Sequence, residues 1–384
     1  MDSRETKRTV PVPSVGADGE QPISQTPTAS ITEETTENNP PEKNYAELLR
    51  KMQRMNDPAY LPTISMNELY ENVYQSRPPV IDGLLYPGTY LFAGAPKVGK
   101  SFLMAQLAYH VSMGLPLWGY PVHKGTVLYL ALEDDHRRLQ GRLYRMFGTE
   151  GTDNLLFAVY AKQLGVGLEE QLKKFVREHP NTKLIIIDTL QKIREAGGDK
   201  YSYANDYEVV GKLKRLADDC GVCLLLVHHT RKQQADDKFD MISGTNGLLG
   251  AADGAFLLQK EKRTDGSAVL DVAGRDQQDQ RFYLTRDKDR LIWTLERTET
   301  EAWTEPPDPV LEAIAALVTA EKPTWGGTAT ELVAALQTDM KPNALAMRLN
   351  VRAGKLLIDY HIRYENSRSH AGRSISLTLE PSQA

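Results

Sequence analysis

The sequence predicts an α/β fold, a twisted and mostly parallel sheet with helices on its faces. Two observations carry that expectation. Short apolar runs alternate with amphipathic helical stretches from Thr89 to Thr230, the pattern of strands joined by crossover helices. One of those runs opens onto Gly94-Ala95-Pro96-Lys97-Val98-Gly99-Lys100-Ser101, which fits the phosphate-binding pattern G-x-x-x-x-G-K-[ST] with no mismatch. Thr89 to Ala93 reads as the buried strand before this loop. Phe102 to Met113 reads as the helix after it, its N-terminus facing the phosphates.

The chain has 384 residues and a formal net charge of −5. That length allows two domains and a tail, and the acidic balance confines any nucleic-acid surface to a local patch. No apolar run is long enough to span a bilayer and the N-terminus lacks a signal peptide's apolar core, so the expectation is a cytoplasmic protein with no membrane partner. The two cysteines, Cys220 and Cys223, are too few for a disulfide framework or a structural zinc site. They read instead as a helix end and a small apolar residue on the next strand, with Gly221 between them as the helix stop.

Residues 1–43 are rich in Pro, Thr, Ser and Glu and are expected to form a disordered tail, because they cannot bury enough apolar surface to offset ordering. Residues 44–76 read as a helical lead-in, with Ser65 capping a short helix. Residues 77–295 hold the main domain. After the phosphate loop, Thr126 to Leu132, Asn154 to Tyr160, Leu184 to Asp188 and Val222 to Val227 read as strands. Helices are expected at Leu139 to Met146, Leu168 to Glu178 and Tyr207 to Ala217. Gly254 to Gln259, Ala268 to Ala273, Arg281 to Thr285 and Leu291 to Trp293 read as shorter strands, the last two antiparallel. Residues 296–309 read as a linker. In residues 310–380 three helices and a hairpin suggest a small winged-helix-like domain. Asp308-Pro309 starts the first helix, Thr328-x-x-Glu331 caps the second and Asn343 to Leu357 forms the third. Arg348, Arg352, Lys355, Arg363, Arg368 and Arg373 are its candidate DNA contacts.

The phosphate loop implies a chemistry. Gly94 to Phe102 would cradle ATP, Lys100 would meet the β- and γ-phosphates, and the Ser101 hydroxyl would bind Mg²⁺. A second magnesium ligand should end a buried strand, where Asp188 stands. Hydrolysis needs a carboxylate to polarise water, and Glu133 is the candidate at another strand end. Asp134 and Asp135 compete, one of them as the cap of the next helix.

Gly94–Ser101, Leu132-Glu133-Asp134, Ile187-Asp188-Thr189 and Val227-His228-His229-Thr230-Arg231-Lys232 occur in that order. Together they resemble the RecA-like ATPases of the plasmid RepA type, hexameric replicative helicases related to the DnaB helicases, over roughly residues 77 to 295. The resemblance implies a catalytic role for Glu133 and a γ-phosphate sensor at His228 or His229. It implies a hexamer whose pore loops, here 191–205 and 231–247, touch single-stranded DNA. Lys192, Arg194, Lys200, Arg231 and Lys232 lie in those loops, and Tyr201 and Tyr203 could stack bases. It also implies an arginine supplied to each site by the neighbouring subunit, with Arg263 and Arg275 as candidates and Arg275 favoured. The activity implied is an ATP-driven DNA helicase serving a plasmid, phage or mobile element. The alternative is an ATP-dependent DNA-binding regulator without unwinding. A small-molecule kinase is disfavoured, since no Arg-rich lid is evident and neither Glu133 nor the His pair would be needed.

Overall fold

The first short helix begins where Ser65 can cap it. In the computed structural model, which describes residues 54, 57–74, 77–194, 203–231, 238–242, 246–260, 266–275, 277–300, 307–369 and 372–381, α1 (Met66–Glu71) is closed by a reciprocal capping box. The Glu68 N–H donates to the Ser65 hydroxyl, and the Ser65 N–H donates to the Glu68 carboxylate at 2.9 Å. The chain divides into two units, Met1–Ile64 and Ser65–Ala384. The expected tail, residues 1–43, lies outside the described residues. In the first unit, Asp57 shapes a turn by accepting the Ala59 N–H on its side chain.

In the second unit, β1 (Gly88–Gly94) is buried along its whole length. It runs through the phosphate loop into α2 (Lys100–Met113). There follow β2 (Thr126–Ala131), α3 (His136–Phe147), β3 (Leu155–Ala158), α4 (Leu168–Glu178), β4 (Thr182–Asp188), α5 (Leu190–Ile193), α6 (Tyr203–Cys220), β5 (Cys223–His229), α7 (Asn246–Ala251) and β6 (Gly254–Gln259). These six strands pair in parallel. β7 (Ser267–Gly274), β8 (Gln280–Arg286) and β9 (Trp293–Thr300) extend the sheet antiparallel. The sheet order is β3-β2-β4-β5-β1-β6-β7-β8-β9.

Strand alternation splits the core in two. Tyr90 and Phe92 face one side, with Leu103 and Met104 of α2 and Leu139 of α3. Leu91 and Ala93 face the other, with Leu172 of α4, Leu213 of α6 and Leu248 of α7. A sheet covered on both faces explains why its strands read as continuous apolar runs. The cysteines fall as expected: α6 ends at Cys220, Gly221 adopts φ +66°, and Cys223 is buried at the start of β5. β9 runs on past residue 296 to Thr300. Its outer half alternates Glu, Arg and Thr, the polar composition of an exposed edge strand.

The C-terminal segment builds α8 (Pro309–Leu317), β10 (Thr324–Gly327), α9 (Ala329–Leu336), α10 (Pro342–Tyr360), β11 (Ile362–Ser369) and β12 (Gly372–Leu379). Asp308 caps α8 and the Thr328–Glu331 box caps α9, as expected. β10 was not expected. It pairs with β12 in a three-stranded sheet of order β10-β12-β11. Leu311, Ile314, Leu332, Leu345, Leu349 and Leu377 form a separate small core. Asn350 of α10 is buried in it with its polar atoms satisfied. The Tyr364 hydroxyl donates to Asn350 Oδ1 at 2.9 Å, and Asn350 Nδ2 donates to the Tyr70 carbonyl, also at 2.9 Å. That last bond ties α1 to the C-terminal segment.

Candidate nucleotide-binding site

The phosphate loop joins the C-terminal end of β1 to the N-terminus of α2. Ala95, Pro96 and Lys97 are exposed, while Val98 is buried and anchors the loop. Two glycines are sterically required. A Cβ on Gly94 would stand 2.6 Å from the Leu258 carbonyl oxygen. Gly99 adopts φ +111°, and a Cβ there would stand 2.9 Å from the Trp293 ring. The loop therefore rests on Trp293 of β9, a fully buried side chain. Gln106 of α2 holds the Trp293 backbone from both sides: its amide donates to the carbonyl at 2.8 Å and its oxygen accepts the N–H at 2.7 Å.

Lys100 is 7% exposed. Its ammonium donates to the Gly94 carbonyl at 2.8 Å and the Ala95 carbonyl at 3.2 Å, and lies 3.2 Å from His229 Nδ1. Its three donors are thus held by the loop and β5. Burial pushes its pKa down, against the pull of Asp188 and Glu133. Burial, then Lys100, also pushes His229 down, which favours the neutral ring that can accept from an ammonium.

Asp188 ends β4 at 5% exposure. Burial raises its pKa, and hydrogen bonds from Ser101 and Tyr129 lower it in turn. The Tyr129 hydroxyl donates to Asp188 Oδ2 at 2.9 Å. Sequence reasoning missed Tyr129, although a signal existed: a phenol inside a fully buried aliphatic strand must find a polar partner. The neighbouring strand ends in a carboxylate. Glu133, exposed just beyond β2, accepts from the Thr189 hydroxyl at 3.1 Å. Its competitors are engaged elsewhere. Asp135 caps α3 through the Arg138 N–H at 2.8 Å, and Asp134 pairs with Arg142 at 2.7 Å.

The two histidines lie on opposite faces of β5, since successive strand side chains alternate. His229 meets Lys100, whereas His228 is buried. Phe102 lies beneath the Arg286 guanidinium, 4.0 Å from its ring centroid, with Arg142 at 5.1 Å. Arg275 is not brought to this site. It follows β7, whose Gly274 pairs with Gly254 opposite Tyr90, near the start of β1. That places it about 13 Å along the sheet from Gly94, at some 3.3 Å per residue. Its guanidinium donates to the Gly250 carbonyl at 2.7 Å. Arg263 lies outside the described residues.

Of the two expected pore loops, residues 195–202, 232–237 and 243–245 lie outside the described residues, so Tyr201, Lys200 and Lys232 cannot be placed. The backbone of Tyr203 opens α6. Arg194 is committed to Asp206 at 2.8 Å, a buried ion pair. In the C-terminal segment Asp308 grips Arg348 at 2.9 and 3.2 Å, Lys355 pairs with Asp359 at 2.9 Å, and Arg363 pairs with Glu380. Arg352 lies half-buried on α10. The side chains of Arg368 and Arg373 lie outside the described residues. Among the described residues, no helix is long and apolar enough to cross a membrane.

No curated protein matches the chain. Solved structures resemble it distantly. An ATPase domain shows 14% identity and a TM-score of 0.47, covering 67% of this chain and 98% of that one. A DnaB-like replicative helicase, studied with its primase interactions, shows 16% identity and 0.47, covering 65% and 71%. A KaiC-like protein from Pyrococcus horikoshii OT3 shows 16% identity and 0.40, covering 59% and 99%. A family model described as AAA domain matches residues 56–235, the stretch that holds the loop, Glu133, Asp188 and His229. Loop and sheet together form a P-loop α/β domain with a mostly parallel sheet.

Proposed function

We propose that the chain is an ATP-hydrolysing, ring-forming motor on DNA, a helicase of the plasmid RepA type acting as a hexamer in replication of a plasmid, phage or mobile element. The observation that carries the reading is the convergence of Asp188, Glu133 and His229, from three strand ends, on Lys100 of the phosphate loop. Ligands of open α/β sheets bind at such strand ends.

The residues present fit magnesium-ATP. The Ser101 hydroxyl and the buried Asp188 carboxylate form an all-oxygen donor set suited to magnesium, and Tyr129 keeps Asp188 aimed. Bound magnesium would neutralise charge on the β- and γ-phosphates. Lys100 would exchange the Gly94 and Ala95 carbonyls for phosphate oxygens, which frees His229 to follow the γ-phosphate. Glu133 would take the proton from the attacking water, with Thr189 setting its orientation. Arg275, remote from its own loop, is the residue we assign to the neighbouring subunit's site. The C-terminal order of helix, strand, two helices and hairpin supports a winged helix. A DNA contact by Arg348 would require it to leave Asp308.

Strand separation tests the reading. A forked duplex with single-stranded arms should be unwound by the wild-type chain with ATP and not by Lys100→Ala. A sequence-specific footprint without strand separation would instead identify a nucleotide-controlled regulator.

A further inference from the structure

The connection from β3 to α4 crosses the same sheet edge as Glu133. The Leu164 N–H donates to the Ile193 carbonyl of α5 at 2.8 Å, and Leu164 is buried. The Lys162 N–H donates to Gln171 Oε1 at 2.8 Å. The Lys162 stem lies over Gly167, where a Cβ would stand 2.8 Å from its Cδ. The connection is thus a framed surface. It borders an open groove of about 510 Å³ lined by Leu132, Tyr160, Lys162, Val166 and Lys192 among others. Tyr160 is 78% exposed and Val166 61% exposed. No carboxylate stands among the described residues that line the groove.

We propose that this surface holds one segment of single-stranded nucleic acid, with a base stacked on Tyr160 and the flanking phosphates met by Lys162 and Lys192. The inference rests on the motor reading above and adds to it a contact segment in the β3–α4 connection, outside both pore loops, that works beside Lys192 of the first loop. An exposed aromatic ring that shares one groove with two lysines and several apolar side chains suits a base with its flanking phosphates. An acidic peptide would use the lysines and leave the ring idle. The surface is joined to the chemistry at two points. Leu132 in its wall directly precedes Glu133, and α5, which carries Lys192, begins after Thr189, the residue that holds Glu133. A strand drawn onto this surface pulls on the elements that aim the carboxylate.

The test is fluorescence anisotropy of a labelled thymidine oligonucleotide on the full chain with a slowly hydrolysed ATP analogue, across a salt series. Tyr160→Ala should weaken binding about tenfold, the order of one lost stacking contact, and Tyr160→Phe should restore it. Lys162→Ala with Lys192→Ala should flatten the log-affinity against log-salt slope by about 1.4, for two phosphates on a single strand. Circular dichroism melts confirm that each variant folds. Wild-type affinity and slope in every variant would overturn this surface and leave the motor reading standing. No binding by the wild type would overturn both. Equal losses for labelled polyglutamate and the oligonucleotide in Tyr160→Ala would mark a general polyanion surface and overturn the stacking assignment.

Discussion

Replacing Glu133 with glutamine is expected to slow ATP turnover by about 10²- to 10⁴-fold, the usual range for losing a positioned general base, with nucleotide affinity nearly unchanged. The substitution keeps the side chain's shape and an oxygen that can still accept from Thr189. It also leaves Asp135 on its helix cap and Asp134 on Arg142. What it removes is the ability to take a proton. Steady-state hydrolysis beside a fluorescent-ATP titration separates the two effects. Turnover at the wild-type rate with intact binding would show that another group activates the water. Asp134 is poorly suited, because Arg142 and Arg138 already hold it.

The second large effect lies outside the phosphate loop's own sequence. Trp293→Ala is expected to cost about 3–5 kcal/mol, the range for deleting a buried aromatic side chain. Trp293 is fully buried and supports the left-handed turn at Gly99. The backbone exchange with Gln106 does not involve the indole, so the loss falls on packing beneath the loop. Trp293→Phe should recover part of the stability. Urea unfolding followed by circular dichroism measures the first effect, and the nucleotide titration measures the second. The account predicts that both fall together in Trp293→Ala. Lost stability with unchanged nucleotide affinity would mean that the loop holds its shape without this support.

Much of the site was legible because its parts are local. The loop pattern needs only eight consecutive residues, and β2 and β4 announce themselves as apolar runs ending in carboxylates. The Lys100–His229 contact was not legible, since those residues are 129 positions apart and meet only because β5 pairs beside β1. The choice between His228 and His229 was not legible. Strand alternation puts them on opposite faces, but nothing local says which face meets the loop. Tyr129 was overlooked because an aromatic in an apolar run reads as core; its buried hydroxyl called for a polar partner, and Asp188 becomes that partner only because β4 lies alongside β2. β10 escaped because Thr324-Trp325-Gly326-Gly327 has two glycines and no apolar alternation. Its strand conformation comes from pairing with β12. The basic residues of α10 read as a free positive face, whereas Asp308 and Asp359 hold Arg348 and Lys355. Composition reports charges without their partners.

The measurement that tests the central claim most directly is steady-state ATP hydrolysis by the full chain, with and without single-stranded DNA, beside Lys100→Ala. A nucleic-acid-coupled motor predicts turnover that rises with added strand and disappears in Lys100→Ala, whose lost ammonium is the group poised at the loop. Robust turnover indifferent to DNA, or turnover that survives in Lys100→Ala, would contradict it.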